Sequence, residues 1–271
     1  MITALLGADG SVLGDVEVLT RRNRRAVDVV PRAGADVEHV ADALVAAYPG
    51  HRVGVLDAPA VADRLVARGG VPARVRFVMD VDLTDVAVPA AVSGVVIAPM
   101  DAGRTLEYGI VSTRAYPPDH PDHEPSDATA AAAAATLDRL VRGEALGPWL
   151  AEASFHAVDG SAGDERVVGL IVVSEIARSV AHAGGPWVTD VFVDPGDAGR
   201  GVGRALIGAT MVALARSGRT SLGLAVTAGN PARRLYESLG FVIGQDVRNV
   251  DLPDQAGGST SSSAYAVSER R

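Results

Sequence analysis

Apolar residues recur with two periods along this chain, and the changes of period mark its elements. Val16-Glu17-Val18-Leu19 and Arg25 to Val30, with Val27 and Val29 in step, alternate in the manner of strands. Asp36 opens a 3.6-residue pattern through Val37, Val40, Ala43, Leu44 and Ala47 that Pro49-Gly50 closes, which predicts an amphipathic helix. A strand at Arg52 to Leu56, a helix from Pro59 to Arg68 and a strand from Arg74 to Leu83 follow. In the last of these, Val75, Phe77, Met79 and Val81 give a near-perfect alternation, interrupted only by Val78. Ala87 to Ser93, with Pro89 inside, reads as a linker.

Beyond it the pattern resumes with a strand at Gly94 to Ala98 and a helix from Thr105 to Ala115 ended by Pro117-Pro118. Ser126-Asp127 is the expected cap of a helix through the alanine run to Arg142, since alanine has the best helix propensity. Strands are predicted at Ala151 to Val158, Arg166 to Glu175, Trp187 to Val193, Ser221 to Val226 and Phe241 to Asp246. Helices are predicted at Gly201 to Arg216 and Pro231 to Leu239. Gln255 to Arg271 is rich in Gly and Ser and reads as a flexible tail, with Ala264 to Val267 a candidate edge strand. The blocks are therefore 1–88, a small α/β domain, and 94–252, a larger one. A faint internal echo joins them. Val53-Gly54-Val55 with Ala62, Arg64, Leu65 and Gly70 lies over Leu222-Gly223-Leu224 with Ala232, Arg234, Leu235 and Gly240. In the first copy Val66 replaces Tyr236 and the spaced glycines are missing.

Composition narrows the function classes. Of 271 residues 48% are apolar and only 4% aromatic, so the core is expected to be built from Val, Leu, Ala and Ile. The net charge of −8 and the lack of a Lys/Arg stripe argue against nucleic acid as a partner. The absence of cysteine removes disulfides, zinc–thiolate sites and a cysteine nucleophile. No apolar stretch is long enough to span a bilayer, and Met1 to Gly7 lacks a basic leader region, so a cytoplasmic protein is expected.

Two segments carry the chemistry. Val191-Phe192-Val193-Asp194-Pro195 runs into Ala198-Gly199-Arg200-Gly201-Val202-Gly203-Arg204 and a helix. Glycines there admit positive φ and close approach of a pyrophosphate, the helix N-terminus favours anions, and Arg200 and Arg204 offer charge-assisted contacts. In isolation the turn reads equally as structural, and no Walker lysine follows it. The second segment, Asn230-Pro231 through Tyr236 to Gly240-Phe241, puts a tyrosine on a short helix, where it serves either as a proton donor or as a core residue. His120 and His123, in a proline-rich loop with Asp119, Asp122 and Glu124, form a poor metal clamp, and no metal is expected.

In this order and spacing the two segments resemble the GNAT superfamily of acetyl-CoA-dependent N-acetyltransferases. The resemblance implies a mixed α/β fold with a central, splayed sheet flanked by helices, the first block being a truncated, non-catalytic relative of the second. It implies acetyl-CoA, or another short acyl-CoA, as donor. Val191, Phe192 and Val193 would pair with the pantetheine arm, 198–204 would cradle the pyrophosphate, and Asn230 would flank the thioester. Ala198 departs from the family's Arg or Gln at the head of the glycine run. Tyr236 would be the general acid and Asp190, or else Glu175, the general base. Tyr116 and Asp119 would line the acceptor side, whose acidity suits a small cationic amine or a peptide N-terminus. A non-catalytic acyl-CoA-binding module is the alternative.

Overall fold

The computed structural model describes residues 1–21, 24–160 and 165–254. The tail read as flexible, its candidate edge strand and most of the 159–164 turn lie outside the described residues. The elements are β1 (Ile2–Leu6), β2 (Val12–Arg21), β3 (Arg24–Pro31), α1 (Val37–Ala47), β4 (Arg52–Leu56), α2 (Pro59–Ala67) and β5 (Val71–Asp82). After these come β6 (Val95–Pro99), α3 (Thr105–Ala115), α4 (Ala130–Val141), β7 (Phe155–Asp159), β8 (Arg166–Ile176) and β9 (Gly185–Val193). The chain continues through α5 (Val202–Arg216), β10 (Ser221–Thr227), α6 (Ala232–Ser238) and β11 (Val242–Asp251). The mixed α/β class implied by the resemblance is the class observed.

The chain forms two compact units. One comprises Met1–Val78, Arg178–Ala183 and the chain from Ile243; the other comprises Met79–Ala177 and Gly184–Val242. The division falls inside β5, not in the 87–93 stretch, and β11 belongs almost wholly to the first unit.

In the first unit the strand order is β1-β2-β3-β4-β11-β5. β1, β2 and β3 are antiparallel neighbours, and β3 and β4 are parallel. The α1 helix starts where Asp36 accepts the His39 N–H, and its Val40 and Leu44 pack with Leu65 of α2 on Val27, Val29, Val53 and Val55. In the second unit the end of β5 lies beside β10, followed by β9, β8, β7 and β6. Here too three antiparallel strands, β7, β8 and β9, lead through a helix to a parallel neighbour and a second helix. The succession β-β-β-α-β-α thus occurs once in each unit, which is the topological content of the sequence echo.

Two local expectations are corrected. Pro125–Asp127 closes its own 3₁₀ turn, with Asp127 N–H on the Glu124 carbonyl. Thr129 is left extended, and its hydroxyl caps α4 by accepting the Ala132 N–H at 3.2 Å. Residues 151–153 form a 3₁₀ turn, so the strand predicted from Ala151 begins at Phe155. Ser154 explains the delay: its hydroxyl reaches back to the Leu150 carbonyl and receives Trp149 Nε1–H.

The helix pair α3 and α4 covers the face of β8 and β9 through Tyr108, Val111, Leu137 and Leu140, packed on Val167, Leu170, Val172 and Phe192. Gly109 permits the approach, because a Cβ there would stand 2.2 Å from the Ala130 carbonyl oxygen. The alanine run is therefore an ordered, close-packed helix. Beneath it, Tyr108 O–H lies 2.7 Å from His156 Nδ1, and the Tyr108 oxygen accepts the Asp101 N–H at 3.1 Å. With Tyr108 as the donor, Nδ1 is the acceptor and His156 is the Nε2–H tautomer. Burial pushes the Tyr108 phenol up to about 12 and holds the His156 imidazole below its ordinary value.

Two predictions follow from this packing. Gly109→Ala forces α3 from α4 and lowers the unfolding free energy by about 1–3 kcal/mol in urea titrations. Because the folded His156 takes up a proton less readily than the unfolded one, its contribution is complete above the unfolded pKa near ~6.5 and is lost as pH falls below it. Between pH 7 and 5 the melting temperature falls, and it falls less steeply in His156→Asn, whose side chain accepts the Tyr108 proton but does not ionise.

Candidate active site

The second unit is organised by a parting of two strands. β9 pairs along its whole length with β8, from Ile176↔Gly185 to Gly169↔Val193, interrupted by a bulge between Val172 and Val173. Thr189 is the extra residue, and its hydroxyl donates to the Val172 carbonyl at 3.0 Å. A bulge sharpens local twist. On its other side β9 meets β10 at a single register pair, Gly223↔Trp187. The Asp194 N–H donates to Val168 across the β8 side, so Asp194, Phe192 and Asp190 turn their backbone groups toward β8. Val191 and Val193 turn theirs to the opposite edge, where β10 has diverged.

Below this edge the chain turns into α5. Gly199 (φ 77°) and Gly201 (φ 91°) are left-handed, and Gly201 is an N-cap without a side-chain hydrogen bond. The first intrahelical bond of this turn runs from Ala205 N–H to the Gly201 carbonyl, so the N–H groups of Val202, Gly203 and Arg204 have no intrahelical acceptor. The turn is braced by buried carboxylates. Asp194 accepts the Gly196 N–H and pairs with Arg114 at 2.6 Å; Asp197 pairs with Arg166 at 2.9 Å. Arg200 is drawn into the same network, bonded to Asp197, to Asp159 at 2.8 Å and to the Ser93 carbonyl at 3.1 Å. Arg204 bonds to the Ser238 hydroxyl and has no carboxylate partner among the described residues. Arg204, not Arg200, is thus the cation left to the turn. Ala198 is extended, and its N–H closes on Pro195.

A group of tyrosines and carboxylates stands by the free edge of β9. Tyr116, the C-cap of α3, puts its hydroxyl 2.8 Å from Asp190 Oδ1 and 2.9 Å from the Val191 carbonyl oxygen. Its ring meets Phe192 at 6.0 Å and His120 at 5.0 Å. Tyr236, almost fully buried, packs on Phe241. Burial, then the charges of Asp122 and Asp190, keep the Tyr236 phenol well above its usual range. Burial, then Asp190, raise Tyr116 likewise. Both are protonated at neutral pH. Asn230 accepts the Ala232 N–H at the start of α6 and donates to Asp122 at 2.5 Å.

Residues 150–243 match the family described as the acetyltransferase (GNAT) domain. This stretch is a GNAT domain. It contains the parted strands, the glycine turn, Asp190, Asn230 and Tyr236, whereas Tyr116 and Asp122 precede it. No curated protein matches the chain. Solved structures agree at the level of fold. A GCN5-related N-acetyltransferase from Sphaerobacter thermophilus is similar over 91% of this chain and 78% of its own, with a TM-score of 0.60 and 18% identity. One from Kribbella flavida aligns over 91% and 89%, at 0.52 and 19%. A tandem GNAT protein from the clavulanic acid biosynthesis pathway aligns over 89% and 79%, at 0.53 and 13%.

Within the GNAT domain and its preceding loop, the structure gathers Tyr116, Asp190, Asn230 and Tyr236 around Asp122. Glu175 is separate: it lies opposite Pro186 and is paired with Arg219 at 3.0 Å. Asp119 is exposed at the loop tip. Asp122, three residues on, is the loop carboxylate turned toward the tyrosines, and only its place in an acidic run hinted at it. The conformational demand of the turn is directly measurable. Gly201→Ala meets no atom nearer than 3.9 Å but must hold a left-handed backbone, and it lowers stability by about 1–2 kcal/mol. Gly203→Ala, at ordinary φ with only the end of the Leu235 side chain at 3.3 Å, costs less in the same denaturation assay.

Proposed function

We propose that this chain transfers an acetyl group from acetyl-CoA to a primary amine by direct attack, with no covalent intermediate on the protein. The observation that carries this reading is the parted edge of β9 above an α5 N-terminus whose first N–H groups are unpartnered. An extended chain ending in a pyrophosphate fits that combination: amide groups along an unpaired strand edge, then donors at a helix start and Arg204, which is bonded to the Ser238 hydroxyl and to no carboxylate among the described residues. Val191 and Val193 would bond the pantetheine amides, and Gly201, Val202, Gly203 and Arg204 the pyrophosphate. Phe192 faces inward and is buried in the core, so it supports the strand and only its neighbours present edge groups.

The acyl group would then lie beside Asp190 and Tyr236. Asp190, held by Tyr116, would take the proton of the incoming ammonium, directly or through water. The amine nitrogen attacks the thioester carbonyl, and the C–N bond forms as the C–S bond breaks. Tyr236 gives its proton to the departing sulfur and regains one from the newly acylated nitrogen, while the proton first taken by Asp190 passes to solvent. The raised pKa of Tyr236 keeps its proton in place at neutral pH, so it acts first as a donor to the charge growing on sulfur. Glu175, occupied by Arg219, is the less suited base. The carboxylates Asp122 and Asp190 favour an acceptor that arrives as a cation, in keeping with a small amine or a peptide N-terminus.

The first unit is read as a non-catalytic relative of the second. Its parallel strands β3 and β4 stay paired over Ala26↔Arg52 to Val29↔Val55, and the Asp36 carboxylate caps the helix that follows. That ladder runs without a break over these pairs, and a carboxylate stands at the helix start where a phosphate would bind.

Tyr236→Phe should lower kcat by about 10²–10⁴ while acetyl-CoA binding by calorimetry is unchanged. Undiminished turnover would sink the proton-donor role. Tight acetyl-CoA binding by the wild type without acetylation of any amine would identify a non-catalytic acyl-CoA-binding module instead.

A further inference from the structure

The proline-rich loop after α3 is a folded clasp. His120 N–H donates to the Pro117 carbonyl at 2.8 Å and His123 N–H to the His120 carbonyl at 2.9 Å. His120 Nδ1 accepts the Asp122 N–H at 3.0 Å, and His123 Nδ1 meets the Tyr116 carbonyl at 2.9 Å. The clasp has two feet. Tyr116 stands on β9 through Asp190 and the Val191 carbonyl. Asp122 stands on β10: one carboxylate oxygen accepts the hydroxyl of Thr227, the last residue of that strand, and the other accepts the Asn230 amide. The feet stand on the two strands that have parted. Asn230 is held from both sides, since its Oδ1 caps the segment leading into α6 while its Nδ2 serves Asp122.

We propose that Asp122 is a positioning residue of the transfer. Through Thr227 and Asn230 it fastens the 117–123 loop to the end of β10 and the start of α6, and so fixes where Tyr236 stands relative to the β9 edge. The proposal rests on the acyl-transfer reading for its catalytic consequence, but the clasp itself does not. Without Asp122, the end of β10 and the head of the seven-residue helix α6 lose their tie to the loop. A helix that short has little stability of its own. A charge-assisted pair of acceptors is well suited to hold it, because the two oxygens of one planar carboxylate take one donor from Thr227 and one from Asn230 and so fix the two relative to each other.

The test compares Asp122→Asn, Thr227→Val and Thr227→Ser in the full chain. Hydrogen–deuterium exchange is read alongside acetyl-CoA calorimetry and acetylation of spermine, kanamycin and phenylethylamine. Asp122→Asn and Thr227→Val should speed exchange at least tenfold in 117–123 and 228–236 and leave the first unit unchanged. With the best of the three amines, kcat should fall at least tenfold while the acetyl-CoA Kd moves less than threefold. Thr227→Ser, which keeps the hydroxyl but not the methyl, should restore both, whereas a purely packing role would leave it impaired. Unchanged exchange at those segments, exchange raised throughout the chain, or raised local exchange with kcat intact would each overturn the proposal. Should the wild type acetylate none of the amines, the acyl-transfer reading fails for them, while a local rise in exchange that Thr227→Ser reverses still supports the clasp.

Discussion

The parting of β9 from β10 is the constraint on which the rest of this chemistry depends. Two parallel strands that met at Trp187 and Gly223 would normally stay paired, because each unmade backbone bond in a buried place is costly. Here the bulge at Thr189 adds twist, and the strands leave one another after one pair. Val191 and Val193 are half-exposed, so their outward backbone groups are accessible to a partner with amide groups of its own. Part of the edge is completed by the protein, where Tyr116 takes the Val191 carbonyl. The remainder is what gives the glycine turn below it a meaning beyond structure.

The contrast between the units makes the same point. Each contains three antiparallel strands, a helix, a parallel strand and a second helix, yet only one leaves its parallel pair open. In the first unit the β3–β4 ladder is continuous, and Asp36 satisfies the helix start. On the proposed reading, closing the ladder would remove the binding edge while keeping the core, so that a common topology would serve as scaffold in one unit and as a site in the other. Function would then reside in a local departure from regular pairing and not in the fold as such.

Much of this was legible in the sequence. Periodicity located the helices through their single buried stripe, as in α1, and the strands through alternation or, in β4 and β8, through short apolar runs buried on both faces. The glycine turn was legible because left-handed backbone at 199 and 201 demands glycine. Long-range pairings were not. Arg200 looked like a phosphate ligand because its partners Asp159 and Asp197 carry no local signature, and tertiary contact ties its guanidinium to both carboxylates. Asp122 was hidden among four loop carboxylates, since only tertiary contact with Thr227 and Asn230 distinguishes it from exposed Asp119. The boundary of the units was hidden for a similar reason: β11 follows α6 in sequence but pairs antiparallel with β4, and sequence proximity does not decide that.

The central claim is that the open β9 edge is an acyl-CoA site and that the closed ladder of the first unit is not. Calorimetric titration of the full chain with acetyl-CoA tests it most directly through stoichiometry. The account predicts one equivalent bound per chain, with binding lost when Gly201 is replaced by a bulky β-branched residue. Two equivalents per chain, or none, would contradict it.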